Sequence, residues 1–306
     1  MNGSGNIHYL TNQQIDKTKW DQCIDNAGNG LIYAYSFYLD AMTKNWDALV
    51  FNDYEAVMPL TWNKKYGIHY LYQPFLTAQL GLFGKSITEK LCSDFIHAIP
   101  SKFRYIDISL NSGHVIGAPS SYSLQRLNHL LDLNKPYEQL YKNYGDNIQR
   151  NIKKAVQAGC KIEKGFDVEK VIHLAKMQMR THSKETNDNV NRFRRLYQQL
   201  ESKQKAITYG ISLDNELLAS CVFFFSHNRA YYILVGNHPD SKTIGASHAL
   251  IDAFIKDHAG KKMILDFEGS DIPGLALFYK SFGAIEIIYQ QLRINRLPFY
   301  LKWLKK

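Results

Sequence analysis

The sequence predicts a mixed α/β (α+β) chain built from two similar halves, each a mixed, mostly antiparallel sheet flanked by helices. Three features carry that expectation: short β-branched and aromatic runs bounded by turn residues, amphipathic helical segments between them, and one order of elements that occurs twice, roughly 160 residues apart.

The first copy begins at WDALVFNDYEAVMPLTW and continues through YGIHYLYQPFLTAQLG and the helical segment SITEKLCSDFIHAIP to the strand FRYIDISL. The second begins at AITYGISLDNELLASCVFFF and continues through RAYYILVGNHPDSKTIG and ASHALIDAFIKDHAG to the strand KKMILDFEG. In each, two strands flank an acidic turn (Asp53-Tyr54-Glu55 and Asp214-Asn215-Glu216), then come an aromatic strand, a proline-containing loop, a helix and a strand. LLASCVFFF and YYILVG read as strands of one hairpin, since branched and aromatic side chains suit a pleated, half-buried surface. In the helix that follows, Ala246, Leu250, Ala253 and Phe254 share a face, with Ile251 one step round and Lys256 and Asp257 outside it, and Gly260 supplies the stop.

Between the copies, Asn134 and Pro136 mark a helix start, and Gly145-Asp146 marks a stop and a fresh start. The next helix carries Ile148, Ile152, Ala155 and Val156 on one face and Arg150, Lys153, Lys154 and Gln157 largely on the other. The predicted boundary falls near residue 134, giving domains 1–133 and 134–306. Residues 180–192, polar and aperiodic, read as a loop between helices.

Composition narrows the function classes. The 306 residues are 45% apolar and 21% charged, as in a globular protein with two domains. Cys23, Cys92, Cys160 and Cys221 stand singly, so neither a disulfide framework nor a metal site is expected. The eleven histidines form no H-E-x-x-H pattern, and no G-x-S-x-G elbow occurs. No stretch reaches 18 apolar residues, and the first residues lack a basic segment followed by an apolar core, which predicts a cytoplasmic protein without stable membrane insertion. Residues 1–133 hold 10 Lys/Arg against 11 Asp/Glu, whereas residues 134–306 hold 27 against 17. The basic excess therefore belongs to the second half, which points to an anionic partner: a phosphorylated cofactor, a nucleic acid or a membrane surface. The tail RINRLPFYLKWLKK reads as a final strand with a basic end (Arg293, Arg296, Lys302, Lys305, Lys306) that could touch anionic lipid or nucleic acid.

Three constellations could carry chemistry. NHPDSKTIGAS joins a strand to a helix, where backbone N–H groups and the helix dipole suit a phosphate; Gly245 would admit an anion and Lys242 adds a cation. Neither a Walker A motif nor G-x-G-x-x-G is present. In LALFYKSFG, Leu275, Phe278 and Phe282 share one face with Tyr279 at its edge, while Lys280 points outward. Asp266 and Glu268 fall on the same face of the preceding strand if alternation continues, and Asp107 holds a comparable strand end in the first copy. A carboxylate beside an apolar sheet face can act as a base or simply cap the next turn.

These residues resemble the FemABX-related proteins of the GNAT acyltransferase superfamily, which carry two GNAT folds in one chain and whose second half opens on a basic helix like NIQRNIKKAVQAG. The family's Q/R-x-x-G-x-G/A phosphate loop corresponds to KTIGAS, with Lys242, Gly245 and Ser247 in its three defined positions, of which the middle glycine is kept. The resemblance implies that Lys242, Thr243, Ile244, Gly245, Ala246 and Ser247 hold the pyrophosphate of acetyl-CoA or another acyl-CoA. The family's Y-x-x-x-G-F resembles YKSFGA, which implies Tyr279 as the acid for the leaving thiolate, with Ala284 in place of the aromatic. FemABX proteins also show an aromatic-Lys pair similar to Tyr279-Lys280, which implies a part for Lys280 in the transfer step. The first half lacks the phosphate-loop spacing and is expected to shape the acceptor pocket, while the second binds the donor.

The leading expectation is thus an N-acyltransferase in which the amine of a small molecule or peptide attacks an acyl-CoA directly, with Glu268 or a water as base and Tyr279 as acid. The alternatives are an aminoacyl or peptidyl transferase of FemABX type, with tRNA as partner of the basic half, and a non-catalytic binding protein on a GNAT fold.

Overall fold

The computed structural model describes residues 6–113, 123–180, 187–269 and 271–301. The chain forms two compact units, one of residues 1–126 with 288–306 and one of residues 127–287.

In the first unit the elements run β1 (Ile7–Leu10), α1 (Lys17–Asn26), α2 (Ser36–Met42), β2 (Asn45–Phe51), β3 (Ala56–Lys65), β4 (Ile68–Tyr72), β5 (Phe83–Gly84), α3 (Glu89–His97) and β6 (Phe103–Ser109). Helix starts follow from local chemistry: the Asp16 carboxylate accepts from the amides of Thr18 and Lys19, and the Thr88 hydroxyl from that of Leu91. Strands β1, β2, β3 and β4 pair antiparallel in sequence order, and β4 then pairs parallel with β6. Phe95 and Cys92 of α3 seat in a core with Met58, Leu60, Leu71, Phe103 and Ile106.

The second unit contains β7 (Ser123–Asp132), whose first residues lie across the boundary, then α4 (Tyr137–Lys142), α5 (Asp146–Gln157), β8 (Lys161–Lys164), α6 (Val168–Arg180), α7 (Asn187–Glu201), β9 (Ala206–Leu213), β10 (Glu216–Ser226), β11 (Arg229–Asn237), α8 (Ser241–Ile244), α9 (Ala246–His258), β12 (Ile264–Asp266) and α10 (Pro273–Lys280). β13 (Ile285–Asn295) leaves this unit and runs antiparallel to β6 of the first, Gln291 opposite Ser109. Residues 288–306, expected with the second half, therefore belong with the first unit, and the division falls inside β7 rather than near 134. The strand order of the second unit is β7–β12–β11–β10–β9–β8. Its β9–β10–β11 meander turns at Asp214-Asn215 and His227-Asn228, all four at positive φ, the geometry that two-residue hairpin turns demand. As in the first unit, the meander is followed by a helix and a strand parallel to its last member, so the repeat read in the sequence is a repeat of connectivity.

Alternation along β10 sends Phe223 and Phe224 to opposite faces. Phe223 stacks on Phe254 of α9, centroids 3.6 Å apart, and Phe224 on Phe193 of α7 at 5.8 Å. Both rings are fully buried, each contributing on the order of 2–3 kcal/mol. At Gly236 an added Cβ would sit 2.5 Å from the Ala175 amide nitrogen of α6, so the glycine sets how closely that helix lies on β11.

Four local expectations are corrected. α4 begins at Tyr137 on a Pro136 cap, not at Asn134, because the proline supplies the helix's first φ. Val156 is 68% exposed, since the buried stripe of α5 is Ile148, Ile152 and Ala155. Residues 187–192, read as loop, open α7, whose Val190, Phe193, Leu196, Tyr197 and Leu200 form a buried stripe that starts within the polar stretch; residues 181–186 of that expected loop lie outside the described residues. Leu275 is 42% exposed rather than packed with Phe278 and Phe282. Of the basic tail, Arg293 lies on β13 and Arg296 follows it, while Lys302, Lys305 and Lys306 lie outside the described residues. No helix of the described residues is long and apolar enough to cross a membrane.

Candidate active site

The most chemically loaded place in the second unit lies where β12 ends. β12 is only three residues long, held parallel to Arg229–Tyr231 of β11 and antiparallel to Leu130–Asp132 of β7. Beyond Tyr231, β11 runs on through Asn237 while the other chain turns away at Glu268 and Gly269, both at positive φ. The parallel pair thus opens from its shared end. On the far side of β11, Val222 faces Leu234 and Phe223 faces Tyr232, leaving Ile233 as the extra residue of a bulge. Bulges of this kind bend a strand and re-aim its groups beside active sites.

Asp266 is spent on structure. Its carboxylate, 2% exposed as a residue, accepts from Asn128 Nδ2 at 2.9 Å, from the Glu268 amide at 2.8 Å and from Arg229 at 2.6 Å. Glu268 does not share a strand face with Asp266 as alternation suggested, because β12 ends at Asp266 and Glu268 adopts φ 63°. It sits half-buried in the turn, and its charge acts on Tyr279. In the first unit Asp107 is likewise held by its neighbours, accepting from Gln291 and from the Tyr105 hydroxyl.

Tyr279 is more buried than a rim position would be, at 7% exposure. Its ring stacks on Phe267 with centroids 4.5 Å apart and lies 5.8 Å from that of His129. Phe267 is itself placed by donating its amide to the His129 carbonyl at 3.1 Å. Burial, reinforced by the Glu268 charge, pushes the Tyr279 phenol well above its ordinary range, so the hydroxyl keeps its proton at neutral pH. Lys280, the next residue, is exposed as expected, and its ammonium lies 2.6 Å from Glu286.

Periodicity along α10 did not reveal His129, Glu286 or His248. His129 has no exposed side chain, and neither ring nitrogen has a hydrogen-bond partner among the described residues. It shares the inward face of β7 with Leu131, a period-two signal the sequence does contain. His248 of α9 packs edge-on to Phe278 at 4.9 Å, and burial lowers its imidazole to about 4.

The expected phosphate loop has a different shape. Ser241–Ile244 form one helical turn, α8, and the amides of Thr243, Ile244 and Gly245 already bond to Asp240 and Ser241 carbonyls. Gly245 (φ 79°) is required, yet for helix packing: an added Cβ would lie 2.4 Å from the Asn151 carbonyl oxygen of α5. The side of Gly245 on which a Cβ would stand is occupied by that helix. Ala246 is fully buried, the Ser247 hydroxyl donates to Asn237 Oδ1 at 2.7 Å, and Lys242 and Thr243 are exposed. The structure thus brings the Glu268 charge to bear on Tyr279 and holds the Lys280 ammonium on Glu286, while residues 242–247 form the α8–α9 junction.

Residues 142–273 match the family described as Acetyltransferase (GNAT) domain; Tyr279 and Lys280 lie just beyond the matched segment. No curated protein matches by sequence. Among solved structures, FemX superposes with a TM-score of 0.63 at 14% identity, covering 97% of this chain and 99% of that one. A tandem GNAT protein from the clavulanic acid biosynthesis pathway gives 0.58 at 10% identity, covering 96% and 99%. L-PGS from Bacillus licheniformis gives 0.50 at 11%, covering 85% and 87%. The fold is thus of GNAT acyltransferase type. Within that class, residues 142–273 match the GNAT domain family, and the fold is similar to those of FemX and the tandem GNAT protein.

Proposed function

We propose that the protein transfers an acyl group from an anionic carrier to an amine by direct attack, with Tyr279 as the acid for the leaving group. The observation that carries this is the buried, protonated Tyr279 beside the opening between β11 and the β12–α10 turn. The acyl carbonyl would lie in the opening beside β11, where main-chain amides beyond Tyr231 on the β12-facing edge can donate to its oxygen as charge develops. The amine forms its bond to the carbonyl carbon, the carbon–sulfur or carbon–oxygen bond of the carrier breaks, and Tyr279 gives its proton to the departing atom. Glu268, within electrostatic reach of Tyr279, or a water takes the proton the amine loses. Residues 127–287 would bind the donor, and the acceptor would be a small amine or a peptide.

Acyl-CoA is the donor that the GNAT domain match and the opened parallel pair support. Lys242 and the exposed face of α8 would then meet its phosphates from outside, since the Gly245 amide is engaged within the chain. A charged tRNA is the second reading. It is favoured by the exposed Arg150, Lys153 and Lys154 on α5, a basic face suited to a phosphate backbone. Native mass spectrometry of the purified full chain separates the two. A bound acyl-CoA mass supports the first, bound tRNA with steep salt dependence supports the second, and absence of binding to either in subsequent thermal-shift titrations contradicts both.

A further inference from the structure

Three charged or titratable groups of the second unit lie within reach of one another beside Tyr279. His129 on β7 is enclosed, with both ring nitrogens unpartnered among the described residues. Its Nε2 lies 3.9 Å from Glu286 Oε2 at the start of β13, and the same oxygen holds the Lys280 ammonium at 2.6 Å. The other polar groups near His129 have their own tasks. Asn128 donates to Asp266, Asp266 also pairs with Arg229, Asp271 accepts from the Leu127 amide, and Glu268 acts on Tyr279. A buried imidazole with two unused nitrogens is unfavourable. The single carboxylate between it and the lysine can serve only one of them at full strength.

We propose that Glu286 is a shared carboxylate that clamps Lys280 while His129 is neutral and turns to His129 when that ring takes a proton, releasing the Lys280 ammonium. Burial lowers the imidazole from its ordinary range, Glu286 raises it and Lys280 lowers it, so the ring is neutral at pH 7 and the clamp is closed. No covalent bond changes: one proton enters His129, Lys280 stays an ammonium, and the carboxylate exchanges partners. His129 is a positioning residue, acting on the transfer through Lys280. The use of this device rests on the acyl-transfer reading, whereas the coupling itself is a property of the folded chain.

The test is a side-chain NMR titration of His129 in the full chain from about pH 5 to 8, in wild type, Glu286→Gln and Lys280→Met. The midpoint should fall by about one pH unit in Glu286→Gln and rise by a similar amount in Lys280→Met. Labelling of Lys280 by an amine reagent, normalised to exposed Lys242, should rise several-fold in wild type as His129 gains its proton and stay flat in His129→Gln. Equal midpoints in the three proteins, or an unchanged labelling profile in His129→Gln, would overturn the proposal. Should His129→Gln fail to fold, the other two variants, which alter side chains at least partly exposed, still decide through the midpoint of His129. Neither readout needs a donor or acceptor: coupling in a chain that transfers nothing removes only the function proposed above, and transfer without coupling removes only this inference.

Discussion

Phe267 lies flat against Tyr279, ring centroids 4.5 Å apart and planes inclined by 19°. The stack joins the end of β12 to the last turn of α10 and fixes where the phenol sits. Phe267→Ala should cost about 3–4 kcal/mol in the second unit, whereas Tyr279→Phe, which keeps the ring, should change stability by less than about 1 kcal/mol. Amide hydrogen exchange in β10 is the suitable measurement, because Trp20, Trp46 and Trp62 all report on the first unit.

Gly245 and Asn151 set the junction of α9 with α5. A side chain at Gly245 meets both the left-handed backbone at φ 79° and the Asn151 carbonyl 2.4 Å from its Cβ. Gly245→Ala should destabilise the second unit by about 3 kcal/mol. Lys242→Ala, on the exposed face of α8, should leave stability unchanged while weakening anion binding. Exchange protection in α9 together with titration against coenzyme A reads both.

Asp266 and Arg229 form an ion pair at 2.6 Å, with side chains 3% and 18% exposed. Asp266→Ala removes the buried carboxylate that Arg229, the Asn128 amide and the Glu268 N–H share. The expected loss is about 3 kcal/mol, seen as a lower urea midpoint for far-UV circular dichroism of the second unit's transition. A loss of activity in this variant would follow from the displaced β12 end and would not mark Asp266 as a base.

His248 gives a pH dependence of defined sign. Burial holds its imidazole at about 4 against the ordinary 6.5. Between those values the unfolded chain binds a proton that the folded chain does not, so stability falls as pH drops from 6.5 towards 4. In His248→Gln the free energy of opening α9, followed by hydrogen exchange across that window, should decline less steeply by up to one proton.

The sequence carried the order of elements well because each strand and helix announces itself locally. Tyr209, Phe223 and Phe254 fall at the periods their elements require, and Asp214-Asn215 marks the hairpin turn. The reading of Asp266 and Glu268 as neighbours on one face failed because a strand's end is decided by tertiary pairing, and β12 has partners for only three residues. That α5 packs against Gly245 could not be read from one chain segment, because the contact is made by residues far apart in sequence. His129 was legible as an inward position beside Leu131, but its relation to Glu286 spans residues far apart in sequence and appears only on folding.

The central claim is that Tyr279 protonates the leaving group in an acyl transfer, and the most direct measurement is release of a labelled acyl group from acetyl-CoA and from aminoacyl-tRNA by wild type and Tyr279→Phe. The account predicts that wild type accelerates release from one of these donors in the presence of an acceptor amine, and that Tyr279→Phe slows the step by roughly 10²-fold with the fold intact. Equal rates for the two proteins on a donor that wild type turns over would contradict it.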